Sequence, residues 1–184
     1  MIDSYKKYKN TILKESSYYI KSKYKFIRFL RRSCFKPPIY KFIVALRYLE
    51  YLKNAEGVTL RLIRIRYAMY KFNKISIKLG YTIYPNCFGT GLKIGHYGGI
   101  IVNENCKIGK NCSIRPFTVI GNKKDGENLG CPIIGNNVSI GANVIILGDI
   151  IIGDNVVIGA GSVVTKSIPA NSMVVGNPAR IIKK

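Results

Sequence analysis

From residue 83 onward the apolar positions fall on a step of six. Ile134, Ile140, Ile146, Ile152, Ile158 and Val164 form one unbroken series, and Gly135, Gly141, Gly153 and Gly159 directly follow four of them. Val102, Ile108, Ile114 and Ile120 form an earlier block with the same step, and the Ile94 to Ile100 stretch precedes it with a two-residue offset. A fixed period sustained over most of 83–164 marks a stacked repeat. Six matches neither the helical 3.6 nor the strand period of two, so each six-residue unit reads as a short strand followed by a tight turn. Three such sides close a triangular coil, with the aliphatic residue pointing inward onto its equivalents above and below. The position four residues later is also small or aliphatic (Cys106, Cys112, Thr118, Val138, Val144, Ile150, Val156, Ser162), as a narrow interior requires. Cys87, Cys106 and Cys112 are therefore expected to be packing residues. The period does not fix the hand of the coil.

The first 79 residues carry a different pattern. Pro37-Pro38 offers a helix start, and Ile39, Phe42, Ile43, Leu46, Leu49 and Leu52 share one face, so a helix is predicted over 38–53. A second helix is expected from about 59 to 71, with Leu60, Ile63, Tyr67 and Tyr70 as its apolar face and Arg61, Arg64, Arg66 and Lys71 largely off it; the Leu60/Leu62 alternation leaves a strand open. Residues 3–32 read as helical on a poor pattern. The expected division is a basic helical region, 1–79, and a mainly β domain with a C-terminal tail, 80–184.

Charge sharpens that division. The 184 residues hold 30 Lys and Arg against 9 Asp and Glu, a net +21, of which residues 1–79 carry +16 and residues 80–184 only +5. Such a balance suits an anionic partner, either nucleic acid or anionic lipid. Against nucleic acid, the chain shows no motif of that class. The longest uncharged apolar run, around 138–147, is too short for a membrane span, and the first residues lack the pattern of a signal peptide. The expectation is a cytoplasmic protein whose basic region either contacts the inner face of an anionic membrane or carries Lys and Arg that simply solvate its helices. Five cysteines without CxxC spacing indicate neither a disulfide framework nor a zinc site.

The run IIGNNVSIGANVIILGDIIIGDNVVIGAGSVVTKSIPANSMVVGNPARIIKK resembles the C-terminal part of bacterial hexapeptide-repeat acetyltransferases. GLKIGHYGGIIVNENCKIGKNCSI, from Gly91 to Ile114, is similar to the active-site coil of serine O-acetyltransferases and of the acetyltransferases of capsule and O-antigen clusters. The resemblance implies a left-handed parallel β-helix, a homotrimer, and acetyl-CoA as co-substrate with no metal. It further implies that acetyl-CoA lies along the outside of the helix between subunits, with Ala142 and Ala160 at the small positions that admit the pantetheine. Thr165, Lys166, Arg180 and Lys183 match the places that meet the distal pantetheine or nucleotide end, where cations suit phosphates.

His96, the chain's single histidine, matches the family's catalytic position in Gly-His-Tyr-Gly-Gly, thirteen residues before Gly109. The resemblance implies that its imidazole takes the proton from an acceptor hydroxyl as that oxygen attacks the thioester carbon, then returns it to the leaving thiolate. The Gly98 and Gly99 amides are candidates for the oxyanion. Three departures bear on the acceptor: Thr82 and Gly95 stand where serine acetyltransferases have aspartates, and Cys131 where they have a substrate-binding histidine. A sugar hydroxyl in surface polysaccharide biosynthesis is thus the expected acceptor, with serine acetylation and sugar N-acetylation as alternatives. A non-enzymatic alternative is a trimeric scaffold for a basic nucleic-acid- or membrane-binding region. Lys123, Lys124, Asp125, Glu127 and Asn128, in the 122–132 loop that interrupts the repeat, are either acceptor contacts or a solvated turn. One His per chain excludes a zinc carbonic anhydrase, which needs three ligands.

Overall fold

The computed structural model describes residues 1–19, 37–57, 60–123 and 130–183, in two compact units, Met1–Leu79 and Gly80–Lys184. Cys34, the far part of the 3–32 segment and loop residues 124–129 lie outside the described residues.

The first unit holds α1 (Tyr5–Tyr19), α2 (Pro38–Asn54) and α3 (Arg61–Leu79), with α2 packed against both others. Pro38 takes the first helical turn of α2, where its missing N–H costs nothing. Phe42, Ile43, Leu46, Leu49 and Leu52 of the expected face are fully or almost fully buried. Arg47 also lies in this core, 1% exposed, bound to Glu15 of α1 at 2.8 Å and to Glu50 one turn on at 2.9 Å. Burial alone would lower the Arg47 pKa, but the Glu50 and Glu15 carboxylates outweigh it and hold the guanidinium above its ordinary value.

The third helix corrects one expectation. It runs well past residue 71, and its buried face is Ala68, Phe72, Ser76 and Leu79. Leu60, Ile63, Tyr67 and Tyr70, expected to face the core, are 67, 67, 59 and 63% exposed. Phe72 decides the rotation of the helix: its ring meets Phe42 of α2 at 5.4 Å, and the smaller Ala68 and Ser76 beside it let α2 approach.

The second unit is a parallel β-helix of three sheets. The first sheet stacks β1 (Tyr81–Thr82), β3 (Ile100–Val102), β6 (Thr118–Gly121), β9 (Ile145–Leu147) and β12 (Val163–Val164). The second stacks β4 (Lys107–Ile108), β7 (Ile133–Ile134) and β10 (Ile151–Ile152). The third stacks β2 (Lys93–Ile94), β5 (Ser113–Ile114), β8 (Ser139–Ile140), β11 (Val157–Ile158) and β13 (Met173–Val175), with β14 (Arg180–Lys183) added antiparallel at its end. Register shows the coil length directly: Ile134 pairs with Ile152, Ile140 with Ile158 and Ile146 with Val164, each eighteen residues apart. Every aliphatic residue of the six-step series is buried, and so are Cys106, Cys112, Thr118, Val138, Val144, Ile150, Val156 and Ser162 four positions after eight of them.

The corners explain the Gly and Asn punctuation. Asn111, Asn137, Asn155 and Asn171 all have positive φ, between 56° and 61°, which Asn tolerates better than most residues. Their side-chain amides bond from coil to coil at 3.1, 3.0 and 2.9 Å, a ladder that runs along one edge. At Gly109 a Cβ would sit 2.6 Å from the Gly135 backbone, so the coils approach too closely there for any side chain.

Candidate active site

The corner between the third and first sheets places His96. Ile94, Ile114, Ile140, Ile158 and Val174 pair in succession down the third sheet, so the residues two positions on, His96, Pro116, Ala142, Ala160 and Gly176, form a column along this edge. Coil-to-coil hydrogen bonds tie it together: Gly95 N–H to the Ile114 carbonyl at 3.1 Å, Asn143 N–H to Pro116 at 2.9 Å and Gly161 N–H to Ala142 at 2.9 Å. With about 4.8 Å per coil, His96 and Gly176 are roughly 19 Å apart along the axis.

The two-residue offset in the sequence is the widened first turn of this column, residues 95–99. Gly98 has φ +129°, and a Cβ there would meet Pro116 and the Phe117 ring one coil below. His96 and Tyr97 are exposed, as is Arg115 beneath Gly95. Among the described residues the His96 imidazole has no hydrogen-bond partner, and neither do the Gly98 and Gly99 amides. The His96 backbone is held instead: the Tyr81 hydroxyl, on a side chain 3% exposed, donates to its carbonyl at 2.9 Å. Burial first, and then Tyr97, pushes the Tyr81 pKa up to about 12. No sequence pattern singled out Tyr81; its ring occupies an inward β1 position, and only the fold shows where its hydroxyl reaches.

The expected cofactor residues occupy three places. Ala142, half-buried, and the exposed Ala160 share the His96 column. Arg180 lies at its foot, since β14 pairs Arg180 with Val175, the residue before Gly176. Lys183 sits at the other end of that strand, opposite Met173. Thr165 and Lys166 follow β12 at the next corner, on the far side of the first sheet, where Lys123 Nζ donates to the Thr165 carbonyl at 3.4 Å. Between the two corners the outward face of the first sheet is an aliphatic column of Ile101, Val119, Ile145 and Val163. Cys131 turns inward, 8% exposed, against Cys106. Thr82 is exposed in register with Ile101. Among the described residues no three His, Cys, Asp or Glu side chains gather as a metal site, and no helix is long and apolar enough to cross a membrane.

Comparison with known proteins gives this coil its class. Residues 131–166 match the bacterial transferase hexapeptide family (six repeats). The solved serine acetyltransferase of Brucella abortus strain S19 in complex with coenzyme A superposes with a TM-score of 0.73 at 28% identity, covering 98% of this chain and 69% of that one. The β-helical unit is therefore a left-handed hexapeptide-repeat helix, and the relatives that share it are acetyltransferases. One is an Escherichia coli K12 protein named as a colanic acid biosynthesis acetyltransferase, WcaB, 48% identical over 93 residues, which are 50% of this chain and 57% of the relative. Another is the serine acetyltransferase of Buchnera aphidicola subsp. Schizaphis graminum (strain Sg), 34% identical over 157 residues, 80% of this chain and 59% of the relative. The chain spans less than two thirds of the length of these curated relatives.

Proposed function

We propose that the protein is an acetyl-CoA-dependent O-acetyltransferase that uses His96 as general base on a sugar hydroxyl. The observation that carries this reading is the column itself: one histidine at the open end of a corner whose lower positions are Ala142, Ala160 and Gly176, with Arg180 at the foot. Small residues let an extended pantetheine lie against backbone, a cation at the foot suits the diphosphate, and the thioester then arrives beside the imidazole. The imidazole accepts the hydroxyl proton during attack and returns it to the thiolate, while the Gly98 and Gly99 amides face the developing oxyanion. Thr165, Lys166 and Lys183 complete the cofactor's distal contacts.

The cofactor residues at the far corner reach a shared site when a second copy packs against the first sheet. The aliphatic column of Ile101, Val119, Ile145 and Val163 is the surface for that contact, and a homotrimer is part of this proposal. So is a location at the inner face of an anionic membrane, supported by the charge of residues 1–79.

The similarity to WcaB supports a polysaccharide acceptor. Serine is the second reading, favoured by the 80% of this chain that aligns with the Buchnera serine acetyltransferase. Against it, Cys131 is buried on Cys106, and Thr82 and Gly95 offer no carboxylate to a serine ammonium. The deciding experiment follows free thiol released from acetyl-CoA with serine and with a panel of nucleotide sugars and glycans. Turnover on a glycan, none on serine, and a loss of about 10²–10⁴-fold in His96→Ala with coenzyme A binding retained are the expected outcomes. Full activity in His96→Ala overturns the assignment.

A further inference from the structure

Among the described residues one face of α3 leaves a row of apolar side chains exposed, with cations along it. Ile63, Tyr70 and Ile77 recur every seven residues, with Tyr67 between them, on the side opposite Ala68, Phe72 and Leu79. They are 67, 63, 82 and 59% exposed. At 1.5 Å per residue the stripe runs about 21 Å. Arg64, Arg66, Lys71 and Lys78 border it and Lys74 interrupts it between Tyr70 and Ile77, all exposed, and α3 contains no acidic residue.

Few carboxylates of this unit are left to neutralise those cations. Of the four acidic residues in 1–79, Glu15 and Glu50 are spent inside the core on Arg47, and Asp3 pairs with Lys7 at 2.7 Å. Among the described residues Glu56 is the remaining exposed carboxylate of this unit outside an ion pair. Burying the acids leaves the unit's surface more positive than its sequence. Two copies meeting through this stripe would set cation against cation, whereas an anionic bilayer offers an apolar layer beneath a negative one. Beside the stripe, a cavity of about 400 Å³ is lined by Tyr8, Tyr48, Tyr67 and Val44 together with Lys41 and Lys71. That combination of apolar walls and two ammonium groups suits a phosphate-bearing lipid.

We propose that α3 lies in the plane of an anionic bilayer, with Ile63, Tyr67, Tyr70 and Ile77 at the headgroup–acyl boundary and the bordering Arg and Lys on lipid phosphates. The inference rests on the proposed membrane location and not on the acetyl-transfer chemistry. It is tested by sedimenting the full chain with phosphatidylcholine vesicles, with and without phosphatidylglycerol, at low and high salt. The wild type is expected to pellet with the anionic vesicles in a salt-sensitive way. Ile63→Gln/Tyr70→Gln/Ile77→Gln should lose roughly tenfold or more in partitioning with its circular dichroism unchanged. Because the chain has no tryptophan, Ile77→Trp adds a direct reporter whose emission should shift to the blue only with anionic vesicles. No binding by the wild type would overturn the membrane location itself. Undiminished binding by the triple variant, or an unshifted Ile77→Trp, would keep the location but remove α3 from it. A lipid-free assembly that shrinks in the triple variant would make the stripe a contact between copies and overturn the proposal.

Discussion

The two units solve the problem of apolar surface in opposite ways. In the β-helix each inward position has a fixed place in a six-residue period, and the charged residues stay on corners and outer faces. In the helical unit α3 carries two faces with apolar residues, of which only the one holding Phe72 is buried, and the core encloses an Arg with two Glu. Position in a repeat dictates burial in the first unit. In the second, burial is decided by which face meets a neighbouring helix, and charge is moved inward to satisfy one buried cation.

The ion triad gives the sharpest way to break this contrast. Arg47→Met leaves two carboxylates buried without a cation, a loss of about 3–5 kcal/mol. Native-state hydrogen exchange is the measurement: amides of α1 and α2 should lose protection while those of β7 to β12 keep theirs. Equal loss in both units would mean that they unfold as one. Removing all three charges together, with Glu15→Gln and Glu50→Gln added, should recover part of the loss, because the cost lies in the orphaned carboxylates.

A smaller effect comes from the β-helix interior. Burial, then the neighbouring Cys131 and Cys87, pushes the Cys106 thiol up to about 12 from 9.0. A raised folded pKa contributes stability that is intact below the free thiol's value and is lost as pH climbs toward the folded one. Urea midpoints should therefore fall from about pH 9 upward, and Cys106→Ala should flatten that slope. In the helical unit Tyr8 is also pushed to about 12, by burial and by its tyrosine neighbours, but from 10.0, so the alkaline loss should begin in the β-helix. A slope unchanged in Cys106→Ala would assign it elsewhere.

How far each unit was legible in the sequence follows the same contrast. Ile134 through Val164 announced the coil because a stacked repeat uses one residue class at one interval, and Gly or Asn at corners follows from close approach and positive φ. The hand came only from resemblance. The interruptions were also legible: the offset before Ile100 is the widened turn that carries His96, and Ala142 and Ala160 fall on the same edge. What period could not show was the third dimension of the helical unit. Leu60, Ile63, Tyr67 and Tyr70 do form an apolar face, but Phe42 meets Phe72 on the other side. Nor does any local pattern link Glu15 to Arg47, 32 positions apart, or Lys123, which reads as either an acceptor contact or part of a solvated turn, to Thr165, which reads as a cofactor contact.

Tyr81 gives the smallest effect and the finest test of the site. Its hydroxyl is the one side-chain group among the described residues that holds the His96 backbone, at 2.9 Å. Removing it in Tyr81→Phe costs about 0.5–1.5 kcal/mol, since the ring still fills its inward position and only the carbonyl loses a donor. In the proposed reaction, a loosened turn would displace the imidazole from the acceptor hydroxyl but leave Ala142, Ala160 and Arg180 in place. The expected signature is a kcat lowered several-fold with the KM for acetyl-CoA unchanged. With its pKa near 12 the hydroxyl remains a donor throughout the neutral range, so the pH profile should keep its shape. A KM that rises with kcat constant, or a variant indistinguishable from wild type in both, would reduce Tyr81 to a core residue and leave the orientation of His96 to other groups.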